Sequence, residues 1–417
     1  MNKRIFFVCS FALTLTCSNA RAQYFAIGSL TIPKSVSANG MGGISGSVLS
    51  DDPVAVMDNP GQLGAFSLNN FFSASTYTPR THWLPSGSLV PPITLNSSAF
   101  SAGMEFGHYL DLPFKAGIGI GYSDYRFSGW TIDEGSKDFT IGLGIDYLVR
   151  FGFGYTFGST ATTFTVDTSR NASSPPVTYN AKLPAHDIGA IMEIPVVGII
   201  SKLSNRSVQI GDGISPVFDI TIGTSGRNIG SEVDYSNADL ALPLPRQSML
   251  GWSLRGGLQT RQDGRVWHLL TLTWAREASD VLATQTVSTA GTTAVYSFGY
   301  EKGFGTIQPF ENLVLGKTNG RITLGKGWEI DAADCLYLRW GSDTGPGELI
   351  YSTSGWSVKL DGLLRLLTAG SIIPPGTPVV GFLMNHMDLE YSFAKYYSGV
   401  NDGIDGTKFS ALTLVVR

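Results

Sequence analysis

Residues 139–157 read FTIGLGIDYLVRFGFGYTF, and every odd position is apolar or aromatic. The even positions are Thr, Gly, Gly, Asp, Leu, Arg, Gly, Gly and Thr. Successive side chains of a β-strand point to opposite faces, so this period of two predicts a strand with one greasy face and one small or polar face. A soluble sandwich alternates too, but seldom over such a length with so much glycine opposite. A transmembrane barrel does so as a rule, with lipid outside and a polar lumen inside.

The same pattern returns along the chain. AGIGIGY, from Ala116, sets Ile118, Ile120 and Tyr122 against glycines. SMLGWSLRGGLQTRQDGRVWHLLTLTW reads as a hairpin on Asp263-Gly264, and ENLVLGKTNGRITLGKGWEI as another on Asn319-Gly320, because tight primed turns need two residues of positive φ. Further strands are predicted near 68–77, 98–107, 186–194, 217–224, 295–302, 335–340, 349–360, 387–393 and 408–416. Together these predict an all-β chain, a transmembrane antiparallel barrel of about 14 strands. No long amphipathic helix is predicted. The run DGLLRLLTAGSIIPPGTPVVGFLM is broken by Arg365, Gly370, Pro374, Pro375 and Pro378, so it reads as strand and loop. TSRNASSPPVTYNAK and SEVDYSNADLALPLPRQ read as exposed loops.

The first residues add a compartment. Lys3 and Arg4 precede the apolar run IFFVCSFALTLTC and then ARA, the features of a Sec signal peptide cleaved after Ala22. The run falls short of the roughly 18 apolar residues of a membrane helix. Thr14, Leu15 and Thr16 ahead of Cys17 lack the small residue of a lipid-attachment site. Loss of residues 1–22 leaves Cys335 as the one cysteine, so the exported chain has no internal disulfide framework.

Composition agrees with a surface that does not face water. Only 15% of residues are charged, and there are 50 glycines and 11% aromatics, against about 25% charged and about 7% Gly in soluble domains. The formal net charge of −4 falls further when the basic signal peptide is removed, which excludes nucleic acid as a partner.

Residues 30–66, LTIPKSVSANGMGGISGSVLSDDPVAVMDNPGQLG and the two that follow, together with the C-terminal pieces, resemble a known family. The N-terminal stretch is similar to that of FadL-like outer-membrane barrels, in which a Gly-Met-Gly turn precedes an acidic stretch and an Asn-Pro-Ala motif. YSTSGWSVKLDGLLRLL, HMDLEYSFAKY, DGTKFSALTLVV and GKGWEIDAADCLYLRWG look closer to the PorV/PorQ branch. The resemblance implies a fourteen-stranded outer-membrane barrel of a Gram-negative bacterium, with residues 23–66 folded inside as a plug and 67–417 forming the wall. It implies no enzymatic activity and no cofactor. Gly40, Gly42, Gly43, Asp58, Asn59 and Pro60 fall on its plug motif. Gly61 stands where the family has Ala, and Arg417 where many barrels end in an aromatic residue.

Three functions are carried forward. The first is a PorV/PorQ-type part in type IX secretion, with exported proteins and secretion machinery as partners, loops that bind cargo and little continuous pore. The second is FadL-like uptake of long-chain fatty acids or other hydrophobic compounds through a plug-lined apolar pocket and a lateral opening in the wall. The third is an exported soluble structural or adhesive protein, in which the odd-position face of 139–157 packs into a core.

The remaining chemistry is weak. MGGISG lacks the strand and helix that a dinucleotide fingerprint needs around it. Asp51, Asp52 and Asp58 do not have calcium-loop spacing and suit turns and caps before Pro53 and Pro60. His82, His108, His186, His268 and His386 show no paired ligand or triad spacing, and there is no G-x-S-x-G elbow. His268 falls on one alternating face with Val266, Leu270, Leu272 and Trp274, as a single polar residue near a membrane interface. Trp252, Trp267, Trp274, Trp328, Trp340 and Trp356 are expected in interfacial belts or along a hydrophobic passage.

Overall fold

The computed structural model describes residues 26–85, 93–129, 131–166, 177–211, 213–235, 241–262, 265–290, 293–345, 350–374, 377–398 and 404–417. The expected signal peptide and Asp263-Gly264 lie outside them. The alternating segments become β1 (Phe71–Tyr77), β2 (Thr81–Trp83), β3 (Ile93–Glu105), β4 (Lys115–Ser128), β5 (Ile132–Asp146), β6 (Arg150–Val166), β7 (Val177–Pro195), β8 (Ile214–Gly230), β9 (Gln247–Gln262) and β10 (Arg265–Val281). After a hairpin of β11 (Ala283–Ala290) and β12 (Thr293–Tyr300) come β13 (Ile322–Ala332), β14 (Leu336–Thr344), β15 (Ile350–Lys359), β16 (Met387–Tyr397) and β17 (Lys408–Val416). Each wall strand pairs antiparallel with its sequence neighbour, and β1 pairs with both β3 and β17, which closes the sheet. β1 and β2 follow one another along β3 and count as one position, so the wall is a closed 14-strand barrel. Closure removes the unpaired edge that lipid does not tolerate.

The opening pattern proves to be two strands. β5 and β6 turn at Tyr147–Val149 and pair Asp146 with Arg150, Ile141 with Tyr155 and Phe139 with Phe157, so odd positions stay on one face through the turn. That face is outward: Phe139, Leu143, Ile145 and Phe157 are 44%, 50%, 48% and 49% exposed, whereas inward Thr140 and Thr156 are 2% and 1%. The soluble reading, which buries the odd face in a core, is thereby overturned. Beyond Phe139 and Phe157 the outward positions become Lys137 and Ser159. On the opposite wall Trp274, Trp328 and Trp340 are partners at one level, with Leu272, Ile330 and Leu338 on one side and Arg276, Lys326 and Ser342 on the other. This places an aromatic girdle at one edge of an apolar band. Trp267 is no belt residue: it is buried and donates to Ala333 O at 2.8 Å. A closed barrel with such a band is an outer-membrane protein of a Gram-negative bacterium.

β1 begins and β17 ends at the edge that carries the tight turns, which is the periplasmic edge by the usual polarity. Strands β5–β10 have 15 to 19 residues and β13–β17 only 9 to 11. About 9 to 11 residues suffice to cross lipid, so one wall rises above the other on the extracellular side.

Several expectations are corrected here. The late apolar run folds as two short helices at the periplasmic edge, α4 (Leu360–Ala369) and α5 (Pro378–His386), because its prolines interrupt a helix without forbidding two. A third, α3 (Val196–Ser204), follows β7. Asn319-Gly320 makes no hairpin: Asn319 Oδ1 accepts from the amides of Arg321 and Ile322 at the entry to β13. Of residues 295–302, 295–300 pair with β11 outside the barrel wall. Residues 177–182 belong to β7, and in the β8–β9 loop Val233 and Leu244 are fully buried rather than exposed.

Candidate functional site in the barrel lumen

Residues 26–70 lie on the inward face of the wall. Helix α1 (Val36–Gly40) packs against β14–β17 and α2 (Gly61–Phe66) against β3–β7, so the segment crosses the lumen. It enters from the extracellular half, where Ala26, Ile27 and Leu30 join Leu183, Val233 and Leu244 in one apolar cluster. Ile32, Val36, Val54 and Met57 join a second, with wall residues Tyr77, Leu95, Tyr125, Phe127, Tyr396 and Phe409, and with Trp83 partly buried against it.

The glycines opposite the greasy face find their reason in this segment. A Cβ at Gly142 would lie 2.5 Å from Gly64 N, at Gly251 2.7 Å from Ser47 Oγ, and at Gly325 2.7 Å from Gly42 O. At Gly144, Gly152, Gly154, Gly189 and Gly223 it would collide with Gly64, Gly61, Pro60, Asn59 and Gly46. The segment's backbone meets the wall at most of these places, and Ser47 and Asn59 side chains at Gly251 and Gly189; close-packed interiors leave no room for a methyl group there. The segment answers with its own glycines. Gly61 faces the β7 backbone, with Ala190 Cα 2.8 Å from the place of a Cβ.

The expected residues divide into two groups about the segment. Gly40, Gly42 and Gly43 make a turn bracketed by Thr353, whose hydroxyl donates to Gly40 O at 3.0 Å and accepts from Gly42 N at 2.8 Å. Gly42 has φ +73°, and a Cβ there would be 2.6 Å from Ser342 O, so both dihedral and space demand glycine. Asp58, Asn59 and Pro60 form the other group. Asn59 Nδ2 donates to Gly46 O at 2.8 Å and to Ala190 O at 3.2 Å, and its Oδ1 caps Gly61 N at 2.9 Å. Asp58 is fully buried, accepts from Lys34 N at 3.0 Å, and pairs with Arg227 of β8, which also donates to Gln247.

The acids do not converge. Asp51 reaches Lys359 at 3.0 Å and Arg417 at 3.2 Å at the periplasmic edge, and Arg417 also pairs with Asp388. Arg417 thus closes an ion network at this edge. Asp52 caps Val54 N at 3.0 Å. The MGGISG glycines serve no phosphate, since the amides of Ser45 and Gly46 donate to Glu277 at 3.3 and 2.9 Å and Ser47 Oγ at 3.2 Å. A wall carboxylate occupies the place an anion would take.

Lys34 is 3% exposed, donates to Ser29 O at 2.7 Å and stands 3.7 Å above the Tyr125 ring. Burial, with Arg227 nearby, pulls its pKa down from 10.5 to about 7. Beside it Asp138, Asp187, Arg227 and Asn228 line a cavity of about 20 Å³, room for a single water. At the periplasmic mouth a second cavity of about 490 Å³ lies among Asp51, Phe66, Asn69, Asn70, Phe71, Val266, Val415 and Arg417. The cavity beside Lys34 is small, and Leu30, Met57 and Ala185 line it together with the charged groups. Among the described residues the wall ladder shows register shifts at His186/Ile188 and His268/Leu270.

Arg227, Glu277, Thr353 and Lys359 were not singled out from the sequence. Arg227 and Glu277 carry one legible signal, a charge at an inward-parity position of a membrane strand. Thr353 carries none.

No family model and no curated protein matches the chain. Among solved structures it is similar to the Pseudomonas putida toluene transporter TodX, at 9% identity over 92% of this chain and 97% of that one, TM-score 0.39. It is similar to a Pseudomonas aeruginosa FadL homologue at 10% identity over 95% and 99%, TM-score 0.39. It is also similar to the translocator domain of the autotransporter NalP from Neisseria meningitidis, at 11% identity over 85% and 92%, TM-score 0.35.

Proposed function

We propose that this barrel takes up small hydrophobic compounds across the outer membrane, with residues 23–66 as a plug and 67–417 as the wall. The observation that carries the reading is the lumen's extracellular half. Tyr77, Leu95, Tyr125, Phe127, Tyr396 and Phe409 point inward there, against plug residues Ile32, Val36, Val54 and Met57. A hydrophilic pore is lined by polar side chains in a water-filled lumen; here the extracellular half of the lumen is filled instead by an apolar cluster that joins wall and plug. Passage requires the plug to shift, because the polar seat at Lys34, Asp58 and Arg227 blocks the way to the periplasmic vestibule. Gly40, Gly42, Gly43, Asp58, Asn59 and Pro60 hold the plug and do not touch the solute. Secretion in the PorV/PorQ manner, with exported cargo as partner, rests on the C-terminal motifs and gains no support from this lumen.

The test is uptake by intact cells of a labelled long-chain fatty acid and a labelled monoaromatic hydrocarbon. Expression of the protein should speed entry of at least one, and Phe127→Asp should slow that entry without loss of the heat-modifiable gel band. Equal rates with and without the protein for both probes would sink the reading. In planar bilayers, deletion of residues 26–66 should convert a closed barrel into a conducting one.

A further inference from the structure

The bulge in β10 rewrites the face assignment at its periplasmic end. Trp267 and His268 pair with Thr260 and Gln259, but Leu270 pairs with Leu258, so Leu269 is an extra residue. Leu270 and Leu272 remain on the lipid face, 53% and 44% exposed. Val266 lines the periplasmic vestibule, and His268 turns to Asp334. The expected common face of Val266, His268 and Leu270 is therefore broken. Bulges recur where a strand must re-aim a side chain.

His268 Nδ1 is 3.0 Å from Asp334 Oδ1, and His268 N donates to Asp334 Oδ2 at 2.8 Å. Asp334 sits in the β13–β14 turn. One ligand atom from each of His268, Asp331 and Asp334 lies within 4.8 Å of the other two. Asp331, on β13, is 1% exposed, yet neither carboxylate oxygen has a hydrogen-bond partner. Arg255 Nη2 stands 3.8 Å from Asp331 Oδ2, too far for a hydrogen bond. A buried carboxylate without hydrogen bonds is costly, and nature meets that cost with a cation or a metal.

We propose that His268, Asp331 and Asp334 bind one first-row divalent transition-metal ion at the periplasmic rim of the lumen. Ligands of one such ion, with bonds of about 2.0–2.2 Å, stand roughly 3 Å apart; the His268–Asp334 pair already has that spacing, and Asp331 must draw in by about 1–2 Å. An imidazole with two carboxylates selects zinc, manganese, iron or cobalt over magnesium and calcium. Three protein ligands leave positions for water, and two carboxylates balance the ion's charge. Bound there, the ion would fasten the start of β10 to the β13–β14 turn.

The test uses the full-length barrel folded in detergent, stripped with EDTA and titrated with cobalt(II) alone. One equivalent should produce a ligand-field absorption band that zinc(II) abolishes. Asp331→Asn and His268→Gln should each weaken binding by at least about tenfold, and Asp361→Asn, at the same edge but outside the cluster, should not. Heat-modifiable mobility checks folding, and His268→Gln decides alone if Asp331→Asn does not fold. A spectrum of aqueous cobalt(II) at every ratio, or equal affinity in the folded variants, overturns the proposal and leaves Asp331 and Asp334 sharing a proton.

Discussion

The two faces of β4–β7 are built from the same residues in alternation and obey different rules. Outward, Ile118, Ile120, Leu143, Phe153 and Phe157 need only be apolar, because lipid is a fluid that accommodates any greasy shape. Inward, Gly142, Gly144, Gly152 and Gly154 meet the backbone of residues 60–64, a partner with a fixed surface. The comparison teaches that one face specifies polarity and the other specifies volume. A substitution of equal size should therefore be mild on one and severe on the other.

The largest effect should come from the inner face's charge. Arg227→Met leaves Asp58 buried without its partner, for an expected loss of about 3–5 kcal/mol; Arg227→Met with Asp58→Asn should recover much of it. Urea unfolding of the barrel in lipid bilayers measures both, and a double variant no more stable than the single would show that the pair does not seat the segment. On the outer face the matching test is Leu143→Arg, expected to cost roughly 2–4 kcal/mol near the bilayer midplane. A value near zero would mean that the apolar band is misplaced.

Volume comes next. Gly144→Ala should cost about 1–3 kcal/mol, whereas its outward neighbour Leu143→Val should stay below about 1.5 kcal/mol, as volume-conserving apolar swaps do. Equal losses would remove the distinction between the faces. If residues 26–66 are deleted, the Gly144→Ala penalty should vanish, since the clash is with Gly64.

A further effect concerns pH. Lys34 has its pKa lowered to about 7 by burial, so between pH 7 and its ordinary value of 10.5 the unfolded chain binds the extra proton and stability rises with pH. Below pH 7 both states hold the proton and this contribution is flat. Lys34→Met should reduce the rise between pH 7 and 10 in the same unfolding assay; an unchanged slope would mean that Lys34 keeps its proton in the folded chain.

Much of this was legible in the residues. The parity of 139–157 gave the wall and its lipid face, and it survived the turn because Asp146 pairs with Arg150, two odd-parity runs meeting in register. The motif around Gly40 and Asn59 lies in the segment that crosses the lumen, and the partners it meets there are distant in sequence. Thr353, Glu277 and Arg227 lie more than 160 residues away in sequence. The prolines that break the late apolar run bound α4 and α5 without forbidding them, and at His268 a single extra residue, Leu269, inverts the alternation.

By itself the sequence determined that strands form, which side of each faces lipid, and that the inner side is small, since a period of two and the solvent on either side leave little choice. Tertiary structure alone decided that the small inner side is a seat for the chain's own N-terminal segment, and which acids pair with which bases. Those outcomes depend on distances between residues hundreds of positions apart, which closure of the barrel fixes and no local pattern records.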